Sequence, residues 1–317
     1  MTGPDGARSR APGARHFLVD TDLTPAEQAD VLDDAARRKK DRRGDAPLAG
    51  RSVALVFEKP STRTRLSFDV GVHELGGHPV VIDAQGSQLG RGEPIEDTAR
   101  VLARYVSAVV IRTFGQDRIE ALAGACDVPV INALTDAYHP CQVLADLQTV
   151  RERLGGTRGV TLAYIGDGAN NMAHSLLLGG ALAGMHVRIG APAAYAPDAA
   201  VLARAAEIAV ATGGSVATTP HALEAADGAD VLYTDVFTSM GQESEQAARH
   251  RAFEGFRLDD RVVEASASGS IVLHCLPAHR GEEISASVID GPRSAVWDQA
   301  ENRLHAQKAL MAFLVGP

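Results

Sequence analysis

Short apolar segments alternate with amphipathic segments along the first half of the chain. Uninterrupted apolar runs predict buried strands at residues 53–57, 80–82, 108–111 and 128–131. Helical spacing lies between them, as at Ile95, Ala99 and Leu102, which fall at positions i, i+4 and i+7. Strands that alternate with helices in this way indicate βαβ units and a mainly parallel sheet.

A second alternating series follows a longer helix, which is predicted to begin near His139 and to end at Gly155. Strands are predicted in this half at residues 161–165, 186–189, 216–218, 231–234 and 271–274. The chain therefore predicts two doubly wound, parallel-sheet α/β domains. In such folds a ligand binds beyond the carboxyl ends of the strands, so we expect the active site in the cleft between the domains.

The same pattern predicts the domain boundaries. The first domain covers residues 1–138, and its first 16 residues are rich in Gly, Pro and Arg without periodicity, as expected of a disordered tail. Residues 139–153 form the helix between the domains. The second domain covers residues 154–297, and residues 298–317 form a C-terminal helix.

Composition excludes several classes of protein. The 317 residues include 31 Lys and Arg against 40 Asp and Glu, a net charge of −9, which argues against a nucleic-acid partner. No apolar run approaches the roughly 18 residues of a membrane span, so no membrane partner is expected. Three widely spaced cysteines do not indicate a disulfide framework, and we expect a cytoplasmic location.

The strongest local signal is a run of hydroxyl and guanidinium side chains where the first strand passes into a helix. Ser61, Thr62, Arg63 and Thr64 bring hydrogen-bond donors to a helix N-terminus, whose free N–H groups and dipole favour an anion. Arg63 has the planar geometry that binds phosphate through two N–H groups. A simple helix cap needs only one hydroxyl, so the density of donors favours an anion site.

Two further polar groups stand at helix N-termini. His139 and Gln142 share a helix face, where an imidazole N–H and an amide NH2 are able to donate to one carbonyl oxygen. The alternative for His139 is a core histidine bonded to the backbone.

Asn170 and Asn171 follow a glycine turn without the third glycine of a dinucleotide motif, so they either bind the polar end of a small ligand or cap the helix.

Two strands of the second half end in reactive side chains. Asp235 follows one strand and precedes a loop that either moves as a lid or is an ordinary surface turn. His274, Cys275 and His279 follow another strand, but a structural zinc site needs four ligands and there is no second pair, so no metal is expected. We interpret Cys275 as a soft polar contact or a proton acceptor.

Together these blocks resemble the aspartate/ornithine carbamoyltransferase family, most closely its ornithine branch. The resemblance runs from about residue 17 to the C-terminus, through segments 57–65, 86–88, 139–142, 167–171, 239–241, 274–277 and 301–303. Such proteins have a carbamoyl-phosphate domain followed by an ornithine domain, and their C-terminal helix returns to the first domain. The resemblance also implies a homotrimer with sites shared between subunits.

Site residues follow from this resemblance at matching positions. The implied carbamoyl-phosphate site comprises Ser61, Thr62, Arg63, Thr64, Gln88 from a neighbouring subunit, Arg112, His139, Gln142, Cys275, Leu276 and Arg303. The implied ornithine site comprises Asn171, Asp235, Ser239 and Met240. Within these sets, Arg112, His139 and Cys275 are expected to be catalytic.

The implied reaction is attack of the δ-amine of L-ornithine on carbamoyl phosphate, giving L-citrulline and phosphate. Fixed donors stabilise the charge that develops on oxygen, and no cofactor is expected because phosphate is already a good leaving group. One alternative is a transcarbamoylase for another amine, such as putrescine or an acylated ornithine. Another is a nonenzymatic ornithine-binding protein on the same fold.

Overall fold

Two separate parallel sheets organise the chain. The computed structural model describes residues 14–83, 86, 88, 92–238 and 245–316. The first sheet has the strand order β2-β1-β3-β4, formed by β1 (Ser52–Phe57), β2 (His78–Asp83), β3 (Ala108–Arg112) and β4 (Val130–Leu134). The second has the order β7-β6-β5-β8-β9, formed by β5 (Thr161–Ile165), β6 (His186–Gly190), β7 (Ser215–Thr219), β8 (Val231–Thr234) and β9 (Ile271–His274).

Every strand pair between these named strands is parallel, which confirms the predicted fold class. In each sheet the chain starts at an inner strand, builds toward one edge and then crosses to the other side. The strand order therefore reverses beside β1 and beside β5. Such switch points leave an open crevice at the carboxyl ends of the strands, where ligands bind.

Helices of the first half cover its sheet on both faces. They are α1 (Pro25–Lys40), α2 (Thr62–Glu74), α3 (Ile95–Tyr105) and α4 (Gln116–Gly124). Phe68 and Val72 of α2 pack into one core with Leu55 of β1, whereas Ala99 of α3 packs with Ile119 of α4 in another. The helix α1 begins at a capping box, because the Thr24 side chain accepts from the Glu27 N–H and the Glu27 carboxylate accepts from the Thr24 N–H.

Two long helices join the halves. The first is α5 (Pro140–Leu154), with proline at its first position and Gly155 in the left-handed conformation at its end. The second is the terminal helix α12 (Val296–Val315). Between them the second half contains α6 (Asn171–Leu182), α7 (Ala199–Thr212), α8 (Ala222–Ala226), α9 (Gln246–Ala252), α10 (Asp260–Ala265) and α11 (Ala286–Ile289). The helix α12 packs against α1, α2 and α5, so the end of the chain lies against the first half.

The helices α5 and α6 approach each other closely because the contact point is a glycine. A Cβ atom on Gly179 of α6 would lie 2.6 Å from Cγ1 of Val143 and 3.0 Å from the Asp20 carboxylate. A larger residue would therefore force the two helices apart at the boundary between the halves. Among the described residues, no helix carries an apolar stretch long enough to cross a membrane.

The end of the predicted N-terminal tail is bonded to the first half of the structure. Arg15 and His16 belong to the stretch expected to be a tail, but Arg15 pairs with Glu27, and Nδ1 of His16 accepts from the Val130 N–H at 3.1 Å. Phe17 extends this attachment by forming a parallel bridge with Ile131. Residues 1–13 lie outside the described residues.

Candidate functional site

The polar side chains singled out in the sequence gather around the carboxyl ends of strands from both sheets. Arg112 ends β3, and the hydroxyl-rich turn beginning at Ser61 follows β1. Asp235 follows β8, and Cys275 follows β9. The helix α5, which His139 precedes as N-cap, joins the two sets.

The turn after β1 both caps a helix and offers free donors. Oγ of Ser61 accepts from the Thr64 N–H at 3.3 Å, so Ser61 is the N-cap of α2. The Thr64 side chain is buried and accepts from Nη2 of Arg303 at 2.8 Å. Thr62 and Arg63 are exposed at the first turn. One hydroxyl therefore suffices as the cap, and Thr62 and Arg63 stay available to a ligand.

Three arginines converge at this turn with little counter-charge. Arg112 and Arg303 are only 8% and 4% exposed, yet Nε of each lacks a hydrogen-bond partner among the described residues. Burial and the Arg303 charge lower the pKa of Arg112 to about 10, so it remains a cation at neutral pH. Arg63 adds a third charge that acts on both. Buried cations with an N–H group left unbonded are costly, so this cluster is built to receive an anion.

His139 lies beside these cations and is neutral. Its backbone N–H donates to Oγ of Ser175 at 3.0 Å, and the Ser175 hydroxyl donates to Oδ2 of Asp20 at 2.6 Å. Burial and the charges of Arg303 and Arg112 lower the pKa of His139 well below its ordinary value. Nδ1 is buried without a partner in the described structure. A neutral imidazole in this position is able to donate a hydrogen bond to a substrate oxygen through one ring nitrogen.

The Gln142 amide turns its oxygen, and not the expected NH2 group, toward the ligand side. Its Nε2 donates to Oδ1 of Asp146 at 2.9 Å, while its Oε1 is buried and without a partner among the described residues. The expectation that the amide NH2 donates to a substrate carbonyl is therefore wrong for this geometry. The group that Gln142 leaves free is an acceptor, suited to an N–H of the ligand.

The second sheet contributes an acid and a thiol. Sγ of Cys275 donates to Oδ1 of Asp235 at 3.0 Å, and the same oxygen accepts from the Val236 N–H at 2.8 Å. Burial and the Asp235 charge raise the pKa of Cys275 well above its ordinary value. The thiol therefore keeps its proton at neutral pH. This geometry favours the polar-contact interpretation of Cys275 over the proton-acceptor one.

The backbone beyond Cys275 turns sharply. Leu276 has a φ of 59°, a left-handed conformation that is rare for a residue with a branched side chain. Its N–H donates to Nδ1 of His274 at 2.9 Å, and Nε2 of His274 faces Oε1 of Glu283 at 3.1 Å. Such strain persists only where the surroundings hold it, and it is common at ligand-binding sites.

Potential metal ligands come together here but are already engaged. One ligand atom each of Asp235, His274 and Cys275 lies within 4.8 Å of the others. However, both ring nitrogens of His274 have partners and the thiol donates to Asp235. The absence of a resident metal stays a prediction, and the donor set does not favour one.

The two asparagines at the start of α6 have different roles. Oδ1 of Asn170 accepts from the Ala173 N–H at 2.9 Å, so Asn170 is the helix cap. Asn171 is half-buried, and its Nδ2 donates to the Thr135 carbonyl at 2.7 Å. This bond links α6 to the loop after β4, and Asn171 therefore lies at the boundary between the two halves.

Three predicted site residues lie away from this cluster or outside the description. Gln88 is exposed, and its backbone carbonyl accepts from the Glu93 N–H at 3.2 Å. Ser239 and Met240 lie outside the described residues. Within one chain the described part of the site is thus the cationic end with His139 and Gln142, and the acidic end with Asp235 and Cys275.

Sequence reasoning missed the side chains that hold the site from behind. Asp146 supports Gln142, and Gln299 of α12 supports Asp146 through a 2.7 Å bond. Asp167 pairs with the buried Arg249, which fastens the loop after β5 to α9. Two of them carried a signal, because Asp146 follows Gln142 by four residues on one helix face and Asp167 begins the segment 167–171 of the resemblance.

Comparisons with known proteins match this arrangement over nearly the whole chain. The family model "Aspartate/ornithine carbamoyltransferase, carbamoyl-P binding domain" matches residues 15–152, and the corresponding "Asp/Orn binding domain" model matches residues 158–314. An ornithine carbamoyltransferase of Acidothermus cellulolyticus is 67% identical over 95% of this chain and 96% of its own length. One of Parafrankia sp. is 64% identical over 95% of this chain and 96% of its own. The solved structure of the Pyrococcus furiosus ornithine carbamoyltransferase superposes with a TM-score of 0.92 at 45% identity, covering 96% of this chain and 98% of that one.

Proposed function

This chain belongs to the aspartate/ornithine carbamoyltransferase family, and we propose that it transfers the carbamoyl group of carbamoyl phosphate to the δ-amine of L-ornithine. The products are L-citrulline and phosphate, and the reaction belongs to arginine metabolism. The observation that carries the proposal is the pair of buried arginines, Arg112 and Arg303, with unpartnered N–H groups beside the turn at Arg63. Such a cluster fits a phosphorylated ligand better than any neutral one.

The shape of carbamoyl phosphate matches the donors and acceptors at the cationic end. Its phosphate oxygens accept from the N-terminus of α2, from Thr62 and from the arginines. Its carbonyl oxygen accepts from neutral His139, and its NH2 donates to Oε1 of Gln142. The complex thus offers partners to three buried polar atoms that lack one among the described residues, Oε1 of Gln142 and Nε of Arg112 and of Arg303, which supports this substrate.

The acidic end suits an amino acid with a second amine. In the proposal the Asp235 carboxylate binds the α-ammonium of ornithine, and Cys275 holds that carboxylate in place by its 3.0 Å bond. Asn171, Ser239 and Met240 complete the ornithine site. Leu276 continues from Cys275 toward the reacting centre. The opposite ends of ornithine then face the two ends of the cleft, so the δ-amine points at the carbamoyl carbon.

The reaction balances without a further reactant. The lone pair of the neutral δ-amine forms the C–N bond, and the carbonyl electrons move onto oxygen. The tetrahedral species collapses by breaking the C–O bond to phosphate. The amine proton passes to the departing phosphate, giving hydrogen phosphate. Arg112, Arg303 and His139 stabilise the charge on both oxygens, and placing two substrates in one cleft removes much of the entropic barrier.

We propose that the chain works as a homotrimer whose sites are shared between subunits. Most of its exposed large apolar side chains in the described residues lie on α2, β2 and α3, namely Leu66, Val70, Val80, Val101 and Tyr105. Val80 lies on the edge strand β2 itself, α2 packs against that strand, and Gln88 follows it in the chain. Exposed apolar clusters are typical of subunit interfaces, and an interface there would bring Gln88 to a neighbouring site.

Subunit mixing tests the shared site. Arg63→Ala and Gln88→Ala trimers, each inactive, are dissociated, mixed equally and reassembled. In a cyclic trimer about one quarter of the sites regain both intact residues. If Gln88 serves its own chain, every site keeps one defect, and no activity returns even though mixed trimers form.

Each domain is proposed to bind one of the two substrates. In the proposal residues 1–138 bind carbamoyl phosphate and residues 154–297 bind ornithine, while residues 139–153 and the returning helix 298–317 connect them. Cytoplasmic location and independence from any cofactor stay predictions.

The activity itself is tested by measuring product from carbamoyl phosphate with a panel of amines. We expect citrulline from L-ornithine and a much lower kcat/KM with putrescine and with N-acetyl-ornithine, neither of which offers a free α-amino acid to Asp235. A higher kcat/KM with one of those amines than with L-ornithine would show that this amine is the acceptor instead. Ornithine binding without turnover would indicate a nonenzymatic binding protein.

A further inference from the structure

We propose that Asp146 is a positioning residue, which fixes the Gln142 amide so that its carbonyl oxygen rather than its NH2 faces the carbamoyl group. The inference rests on the proposed function, because it assigns a partner to the NH2 of carbamoyl phosphate. Asp146 does not touch the substrate. It acts through Gln142, and the property it supports is the recognition of a carbamoyl group over other acyl groups.

The contact between the two side chains settles the amide orientation. Gln142 and Asp146 are one turn apart on α5, and each is 1% exposed. Nε2 of Gln142 donates to Oδ1 of Asp146 at 2.9 Å. Turning the amide over would place two oxygens against each other in a buried position, where no water relieves the repulsion. The remaining amide atom, Oε1, is then left without a partner and available to the ligand.

Asp146 is itself held rigidly from a second helix. Nε2 of Gln299 on α12 donates to the same Oδ1 at 2.7 Å and also lies 3.1 Å from the Tyr233 hydroxyl. Oε1 of Gln299 accepts from the His274 N–H at 2.9 Å, immediately before Cys275. The anchor therefore joins α5, α12 and the end of β9, and it keeps Gln142 in register with the second half of the site.

A proton on Oδ2 of Asp146 does not change this orientation. Burial raises the pKa of Asp146 to about 7, so both forms are present near neutral pH. Both amide bonds end on Oδ1, and Oδ2 has no partner in the described structure, so Oδ2 is free to carry the proton. Oδ1 remains an acceptor in either form, and Gln142 keeps its NH2 turned away from the ligand.

A fixed acceptor at this point explains how an NH2 group is recognised. Acetyl phosphate has the same charge and nearly the same shape as carbamoyl phosphate, but it carries a methyl group where the NH2 lies. Bound acetyl phosphate leaves Oε1 of Gln142 buried without a partner. A site that hydrogen-bonds a substrate group discriminates strongly against an analogue that lacks it. If the amide turned freely, this discrimination would fall.

The test compares Asp146→Leu with Asp146→Asn in the full-length protein. Discrimination is measured as the inhibition constant of acetyl phosphate divided by the KM of carbamoyl phosphate, and inorganic phosphate serves as a probe of the cationic end. Asparagine keeps an oxygen for both amides, so Asp146→Asn should retain discrimination within about 3-fold, whereas Asp146→Leu should lose about 10-fold or more. Phosphate inhibition should change little in either variant.

A double-mutant cycle with Gln142→Ala separates positioning from general damage. If Asp146 acts through Gln142, then adding Asp146→Leu to Gln142→Ala lowers discrimination no further. Additive losses, or full discrimination in Asp146→Leu, would overturn the proposal. If Asp146→Leu does not fold, Asp146→Ser takes its place, because its hydroxyl is too short to reach Gln142. A wild-type protein that makes no citrulline would instead refute the proposed function.

Discussion

The two ends of the cleft are built from the same topology and carry opposite chemistry. In the first sheet, the carboxyl ends of β1 and β3 lead to Arg63 and Arg112. In the second, the ends of β8 and β9 lead to Asp235 and Cys275. Parallel strand ends supply a place for ligands in both sheets. The sign of the charge at each end then determines which of the two substrates binds there.

The two ends also differ in how well their polar groups are satisfied without a ligand. Arg112 and Arg303 have buried N–H groups without partners in the described structure, whereas Asp235 already accepts from Cys275 and from a backbone N–H. The cationic end is therefore the one that gains most from binding. We expect substitutions there to affect catalysis more strongly than substitutions at the acidic end.

The largest effect is expected at Arg112. Arg112→Ala removes a fixed donor that faces the developing charge, so kcat/KM for carbamoyl phosphate should fall about 100- to 1000-fold. Arg112→Lys should recover little, because lysine lacks the planar pair of N–H groups. Steady-state kinetics measure both, with Arg204→Ala on the exposed surface of α7 as the control. A lysine variant close to wild type would show that charge alone suffices.

A smaller and more selective effect is expected at Asp235. Asp235→Asn keeps the shape and the acceptor for Cys275 but removes the charge that binds the ornithine α-ammonium. The KM for ornithine should rise about 100-fold, the order expected for a buried ion pair between protein and ligand. The inhibition constant of phosphate should stay unchanged. Equal losses for both ligands would mean that Asp235 supports the whole cleft and does not bind ornithine.

A modest effect is expected at Cys275, and its pH profile tests the assignment. Cys275→Ala should lower kcat/KM for ornithine about 10-fold, since one bond to the Asp235 carboxylate is lost. In both proteins kcat/KM should rise with pH from 6 to 9, because the attacking amine has an ordinary pKa near 10.4 and must lose its proton. Cys126→Ala is the matched control. A profile that flattens only in Cys275→Ala would identify the thiol as the base.

Sequence alone predicts the fold well because its signals are local. The strands β5, β8 and β9 have the predicted bounds, and most others differ by one or two residues. The strand β4 begins two residues later than predicted, after Pro129, which has no N–H for a ladder bond. Such patterns depend on neighbouring residues in the chain, and these are visible without a structure.

The orientation of side chains in the site is less predictable. The position of Gln142 is predictable, but its amide orientation depends on Asp146. Asp146 in turn is held by Gln299, which lies 153 residues after Asp146 in the chain. Likewise, the preference for a protonated Cys275 arises from Asp235 on another strand. Packing across the two halves creates these relations, and no local pattern encodes them.

The smallest effect on catalysis is expected behind the site, at Asp20. Burial raises the pKa of Asp20 to about 8 from an ordinary value of 3.8, so the folded protein binds a proton that the unfolded chain releases. The stability that this proton provides is complete below pH 3.8 and is lost as pH rises to about 8. Asp20→Asn resembles the protonated form and keeps an acceptor for Ser175, so kcat should change less than about 2-fold.

Thermal unfolding of wild type and Asp20→Asn between pH 5 and 9 measures this contribution of Asp20 to the stability. The Tm of Asp20→Asn minus that of wild type should grow as pH rises to about 8 and then level off, at about 2–4 °C for each kcal/mol. Asp227→Asn makes the same substitution at an exposed position; it is the control and should show no such growth. A constant difference across the range would show that Asp20 is already ionised in the folded protein. Its bond with Ser175 would then involve a carboxylate, and the support behind His139 would carry a negative charge.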